Sequence, residues 1–236
     1  MKNVLLIDSG SGGINILKEC VKVCPFCDYL LFCDAFNLPY GNKSKKELIE
    51  ITEKNLERIY SFFKFEIVIF ACNTLTATVI DEMREKYNNI TFIGTVPAIK
   101  PALISFQEKD ILVIATETTV KNNKLIKKHK NVKYLTLNDL APLIDENLDN
   151  IEVLENYLRK KIKGDFKAIV LGCTHYLAVS DLLKKIYPNV KIYDSANGVA
   201  RRLKSFITEE KEEFQVQIFC DKTENLGKFW YYYFNG

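Results

Sequence analysis

Runs of four consecutive apolar residues recur along the chain: VLLI at 4–7, IVIF at 67–70, ILVI at 111–114 and AIVL at 168–171. Longer stretches of helical period separate them. Unbroken apolar strands of this kind suit parallel strands buried on both faces, where an alternating pattern would leave one face to water. On this basis strands are predicted at 2–8, 29–34, 66–71, 90–94, 110–115, 132–136, 167–172, 190–194 and 215–220. Helical patterns fall near 12–23, 43–63, 75–87, 97–107, 117–129, 151–163, 177–187, 195–208 and 222–234. Strand and helix alternating over the whole length predict an α/β fold with mostly parallel sheets flanked by helices. No linker rich in Pro, Gly or Ser interrupts the pattern.

The pattern also repeats. KNVLLIDS at 2–9 resembles KDILVIAT at 109–116, and EIVIFACNTLTA at 66–77 aligns without a gap on KAIVLGCTHYLA at 167–178, which sets Cys72 on Cys173. TFIGTVPAI at 91–99 then lies opposite KIYDSANGVA at 191–200. Three matches in the same order imply two similar lobes related by a pseudo-twofold axis. Ligands of open α/β sheets bind beyond the carboxyl ends of the strands. Asp8-Ser9, Cys72-Asn73-Thr74, Thr116 and Cys173-Thr174-His175 all fall at such ends, so the candidate site lies between the lobes.

A thiol at a strand end near a helix N-terminus can act as a nucleophile or base, with a lowered pKa. Two such thiols flanking one carbon suit proton removal from one face and delivery to the other, which is racemisation or epimerisation. The α-proton of an amino acid is only weakly acidic, so the site must stabilise carbanionic charge and exclude water. A single cysteine is most often a small buried hydrophobe, but the symmetry and polar neighbours of this pair favour chemistry. His175, two residues from Cys173, is expected to orient or exchange protons. His129, in a lysine-rich helix, is expected to be exposed.

Composition narrows the class. The 236 residues are 47% hydrophobic with 10 Gly and 6 Pro, typical of a globular chain, and the net charge is only +3. The basic cluster from Lys121 to Lys130 lacks interleaved aromatics and reads as a solvated helix face, not a nucleic-acid groove. No stretch approaches a membrane span. The opening MKNVLLIDSG is too short in apolar residues for a signal peptide. Seven cysteines are therefore expected as reduced thiols in a cytoplasmic protein. Cys20, Cys24 and Cys27 have a spacing also used to hold iron–sulfur clusters. The simpler reading is a helix end, a turn at Cys24-Pro25 and a strand carrying Cys33, with no metal. DSGSGG at 8–13 lacks the endings of phosphate- and dinucleotide-binding loops and reads as a tight turn whose N–H groups face a carboxylate.

Taken together and in order, IDSGSGGINILKEC, DAFNLPYGNKS, ACNTLTA, GTVPAIKPA, ATETTVKN, LGCTHY and DSANGVA resemble glutamate racemase, of the aspartate/glutamate racemase superfamily. The resemblance spans nearly the whole chain. It implies a first lobe of residues 1–97 closed by 207–236, with a second lobe, 98–206, inserted between. It implies cofactor-independent racemisation of glutamate without pyridoxal phosphate, a small-molecule substrate, and D-glutamate supplied for peptidoglycan in a walled bacterium. By the same match Cys72 and Cys173 are the two bases, Cys72 working on the D- and Cys173 on the L-enantiomer. Asp8 and His175 assist them. Ser9, Tyr40, Gly41, Asn73, Thr74, Thr116 and Thr174 join Asp8 and His175 in binding substrate, and Asp34 is a carboxylate close by. Several positions depart from the pattern: Leu177 stands for proline, Thr118 for glycine, Leu137-Asn138 for a Cys-Pro pair, and Asp145 for the glutamate that supports the second cysteine and the histidine. Alternatives within reach of the same lobes are an aspartate or broader amino-acid racemase and a non-catalytic amino-acid binding protein. Several apolar helix faces could join two copies as a homodimer. The aromatic run at 229–234 is expected to form a helix sealing the first lobe.

Overall fold

The computed structural model describes residues 2–147, 149–208 and 213–222. All nine predicted strands are present: β1 (Val4–Asp8), β2 (Tyr29–Cys33), β3 (Ile67–Phe70), β4 (Thr91–Gly94), β5 (Ile111–Ala115), β6 (Lys133–Thr136), β7 (Ala168–Gly172), β8 (Lys191–Tyr193) and β9 (Val216–Cys220). They form two parallel sheets, ordered β4-β3-β1-β2-β9 and β6-β5-β7-β8. Every residue of β1, β3, β5 and β7 is buried, as unbroken apolar runs require.

The repeat seen in the sequence is also a repeat of register. Ile7 pairs with Phe70 in the first sheet, and Ile114 pairs with Leu171 in the second. These are the residues that the two alignments set opposite one another. The second sheet reproduces the order of β4, β3, β1 and β2 as β8, β7, β5 and β6, and β9 then returns the chain to the edge of the first sheet.

The helices follow their apolar stripes. In α1 (Gly13–Val23), Ile14, Ile16, Leu17 and Cys20 face inward, and α10 (Ala196–Lys204) packs on it through Val199, Ala200 and Leu203 in the core under the first sheet. Each such buried aliphatic side chain contributes about 1.5–3 kcal/mol. Cys20, Cys24 and Cys27 are buried in that same core, and among the described residues no group of His, Cys, Asp and Glu is arranged to hold a metal ion. α2 (Lys45–Tyr60) opens with a capping box of Ser44 and Glu47. α3 (Asn73–Lys86) begins directly after Cys72.

Elsewhere the boundaries move. The stretch 97–107 is reduced to α4 (Ile99–Leu103). The stretch 117–129 splits into α5 (Glu117–Asn122) and α6 (Lys124–Lys128), because Asn123 leaves the helical conformation and its Oδ1 accepts from the N–H groups of Leu125 and Ile126. His129 is not fully exposed: its Nδ1 meets Glu108 Oε1 at 2.8 Å and its side chain is 15% accessible. One helix was not predicted, α7 (Leu140–Glu146), with Pro142 in its first turn, where a missing N–H costs little. α8 (Ile151–Lys161) appears as expected. A short 3-10 helix, Thr174–Val179, precedes α9 (Ser180–Ile186). The predicted helix at 222–234, with its aromatic run, lies outside the described residues. No helix among those described is long and apolar enough to cross a membrane.

Candidate active site

The carboxyl ends of the two sheets meet around a cavity of about 520 Å³, within the usual range for small-molecule sites. Ser9, Tyr40, Gly41, Cys72, Asn73, Thr74, Thr116, Cys173, Thr174 and His175 all line it. Asp8 does not reach the wall. It lies beneath, fully buried. Leu38, Pro39, Asn42, Thr118, Asn138, Ala141, Pro142 and Asp145 complete most of the remaining surface.

Each cysteine follows the last residues of a buried strand and precedes a helical turn. Cys72 is the N-cap of α3 and Cys173 the N-cap of the Thr174–Val179 segment. The two thiols thus come from different lobes to one cavity. Cys72 is not acidified as its position suggested. Burial pushes its thiol well above the ordinary value and the charge of Asp8 adds to this, outweighing the N–H groups of Leu75 and Thr74 that favour the thiolate. Cys72 is therefore held as a thiol.

Asp8 is the centre of a polar cluster that joins the lobes. Its Oδ1 accepts from the Gly10 N–H at 3.1 Å, and its Oδ2 from the Thr174 hydroxyl at 3.0 Å. Burial pushes its carboxyl up to about 6, although His175, Gly10 and Thr174 all favour the charged form. His175 is buried as well, at the cavity wall. Burial alone would lower its pKa, but Asp145 and Cys173 beside the ring prevail and raise it well above the usual histidine range. Asp145 Oδ2 stands 3.5 Å from His175 Nε2, an ion-pair separation longer than a good hydrogen bond.

The glycines of DSGSGG make the turn into α1 and have a further use. The Gly10 amide turns onto Asp8 of its own chain segment, and the space in front of the loop is filled by the second lobe. A Cβ on Gly12 would lie 2.6 Å from the His175 backbone nitrogen and 2.6 Å from Thr174 Oγ1; one on Gly10 would lie 2.8 Å from His175 Nε2. Gly12→Ala is accordingly expected to cost about 1–3 kcal/mol of stability and most of the activity, because backbone cannot yield. Thermal melts alongside rate measurements check this, and a variant that melts with the wild type contradicts the close approach.

Asp34 is likewise close to the site but does not enter it. Its Oδ2 accepts from Tyr40 Oη at 2.7 Å and Asn55 Nδ2 at 2.9 Å, its Oδ1 from Asn37 Nδ2 at 2.8 Å. It fixes the loop that brings Tyr40 and Gly41 to the cavity. Burial first, and Asp34 second, keep Tyr40 a neutral phenol.

The departures from the family pattern all have a place. Thr118 donates its hydroxyl to the Gly41 carbonyl at 2.9 Å across the cavity mouth. Asn138 Oδ1 accepts from the Glu117 N–H at 2.8 Å. The Leu137 carbonyl takes the Tyr176 hydroxyl at 2.6 Å. Leu177 packs against cores of both lobes. A further cross-lobe cluster joins Thr74 to Thr116 at 3.0 Å and to Thr119 at 3.4 Å. Thr119 and Ser11 carried no signal of their own in the sequence; partners distant along the chain give them their places.

No lysine or arginine lines the cavity among the described residues. A carboxylate there would be held by neutral donors and by the amide end of α3. Asn73 donates Nδ2 to the Thr95 carbonyl at 3.1 Å, and its buried Oδ1 has no hydrogen-bond partner among the described residues.

No protein-family model matches the chain. It is 38% identical over 209 residues to a glutamate racemase of Clostridium acetobutylicum, covering 84% of this chain and 81% of that one. The fold matches glutamate racemase isoform RacE1 of Bacillus anthracis, with a TM-score of 0.86 and 23% identity over 98% of this chain and 94% of that one. It also matches the Escherichia coli glutamate racemase in complex with L-glutamate and the activator UDP-MurNAc-Ala, with a TM-score of 0.82 and 24% identity over 97% and 96% of the chains. With the relative from Clostridium acetobutylicum carrying the sequence and the two solved structures the fold, this chain belongs to the glutamate racemase family.

Proposed function

We propose that the protein interconverts L- and D-glutamate by transferring the α-proton between two cysteines. The observation that carries this reading is the pair of thiols, one from each lobe, on the walls of a single cavity. In the L-to-D direction Cys173 takes the α-proton and the Cys72 thiol delivers one to the opposite face; the reverse direction exchanges their roles. Deprotonated Cys173 would face the charged ring of His175. Cys72, kept protonated by burial and by Asp8, is the thiol ready to donate. Hydroxyls of Ser9 and Thr74 and the amides at the head of α3 supply neutral donors for the substrate's carboxylates, Thr116 and Thr174 line the same wall, and Asn73 Oδ1 is an acceptor for its ammonium group. Enclosure removes water that would quench the carbanionic state.

The same reading takes residues 1–97 with 207–236 as one lobe and 98–206 as the other. The seat of β9 beside β2 supports it, while the packing of α10 on α1 ties the end of the second stretch to the first lobe. In this reading the product D-glutamate feeds peptidoglycan synthesis in the cytoplasm.

The test is proton NMR of the purified protein in heavy water with D-glutamate and no added cofactor, and with D-aspartate in a second tube. Loss of the α-proton signal with growth of the L-form in the glutamate tube is the expected result. Faster loss in the aspartate tube would reassign the substrate. Silence in both, with thiols reduced, would leave a binding protein.

A further inference from the structure

We infer that Ser11 is a positioning residue for this reaction, its hydroxyl holding the Asp145 carboxylate against His175 from the opposite lobe. The inference rests on the racemase reading, because His175 matters as the neighbour of Cys173. The geometry is specific. Ser11 Oγ donates to Asp145 Oδ1 at 2.6 Å, a length typical of a hydroxyl bonded to a charged carboxylate. The other oxygen, Oδ2, is the one 3.5 Å from His175 Nε2. One carboxylate therefore spans a residue of the first lobe and a residue of the second.

Asp145 sits at the open end of α7 with its side chain 29% accessible, and the bond from Ser11 to Oδ1 fixes the carboxylate plane so that Oδ2 is the oxygen turned to His175. Ser11 itself has little freedom. Gly10 and Gly12, on either side, are pressed so closely to the His175 ring and its backbone that neither has room for a Cβ. The hydroxyl is thus delivered by a segment whose distance from His175 is set by contact.

Ser11 follows β1 in the first lobe, and Asp145 follows β6 in the second, so the acidic support of His175 is built from both lobes.

The chain has only two histidines, so imidazole NMR resolves them. In full-length Ser11→Ala at one fixed pH, the His175 ring signals are expected to move in the same direction as in Asp145→Asn, with His129 unmoved and Ser11→Thr close to wild type. The rate constant kcat/KM is expected to fall about tenfold, the lower end for one hydrogen bond to a charged group. That fall must be equal in both directions, since enantiomers have an equilibrium constant of unity. The asymmetry appears in the α-deuterium isotope effect, which should grow on L-glutamate, deprotonated by Cys173, and not on D-glutamate. Adding Asp145→Glu to Ser11→Ala lengthens the carboxylate arm and should restore part of the lost rate. Unmoved His175 signals in a folded Ser11→Ala protein overturn the inference, as does a rate loss with isotope effects unchanged on both enantiomers. A wild type that racemises nothing defeats the racemase reading alone, and the His175 signals then still decide whether Ser11 sets Asp145.

Discussion

Cys72→Ala and Cys173→Ala are each expected to lower racemisation by roughly three to four orders of magnitude, as removal of a positioned acid or base does. The two variants should not fail in the same way. With Cys72 gone, Cys173 can still remove the α-proton from L-glutamate and return solvent deuterium to the same face. Cys173→Ala should leave the mirror-image exchange on D-glutamate. Each variant is therefore expected to exchange the α-proton of one enantiomer slowly in heavy water without forming the other. Serine in either place keeps a hydroxyl but loses acidity, and should give the same one-sided exchange by the remaining thiol. Neither substitution removes a large part of a core, so melting temperatures should stay near wild type. If either alanine variant racemises normally, the two-thiol reading falls. If both exchange both enantiomers, a third group is the base.

That experiment depends on residues whose positions were legible in the chain, and the reason is local. A buried parallel strand must be apolar throughout, so IVIF before Cys72 and AIVL before Cys173 announce themselves, and the matching registers of Ile7–Phe70 and Ile114–Leu171 follow from one repeat. What escaped reading depends on partners far away in sequence. α7 was hidden because Pro142 reads as a breaker until its first-turn position is known. Asn123 looked like part of a helix, yet its side chain caps the next one. The ties of Ser11 to Asp145 and of Thr118 to Gly41 cross between lobes, and no periodicity reports them. The protonation of Cys72 went the other way from its position at a helix start, because burial and Asp8 outweigh two backbone amides.

The same Asp8 leads to the second large effect. Asp8→Asn is expected to stabilise the protein above neutral pH while lowering its activity about a hundredfold, within the range for a group that tunes an acid or base. The carboxyl is wholly buried and rises from 3.8 to about 6 on folding. The folded state therefore holds the proton more tightly than the unfolded one, and stability declines as pH rises from about 4 to about 6. Above that, the charged form costs on the order of 3 kcal/mol, from about two pH units at 1.36 kcal/mol each. Asparagine has the same shape and remains neutral. Its carbonyl can accept the Gly10 N–H, and its amide can donate to the Thr174 hydroxyl, so the contacts around it survive. The melting temperature should rise by several degrees at pH 8, and the gain should vanish near pH 4, where the wild-type carboxyl is already protonated. The loss of activity follows from charge: Asp8 opposes ionisation of Cys72 and favours the cationic form of His175, and the amide does neither. Such an exchange of stability for function is expected where a charge is kept buried for chemistry. Melting curves of both proteins from pH 4 to pH 8, with rates at each pH, decide the matter. A variant less stable than wild type at pH 8 would mean that the buried charge is well compensated, and full activity would remove Asp8 from the machinery.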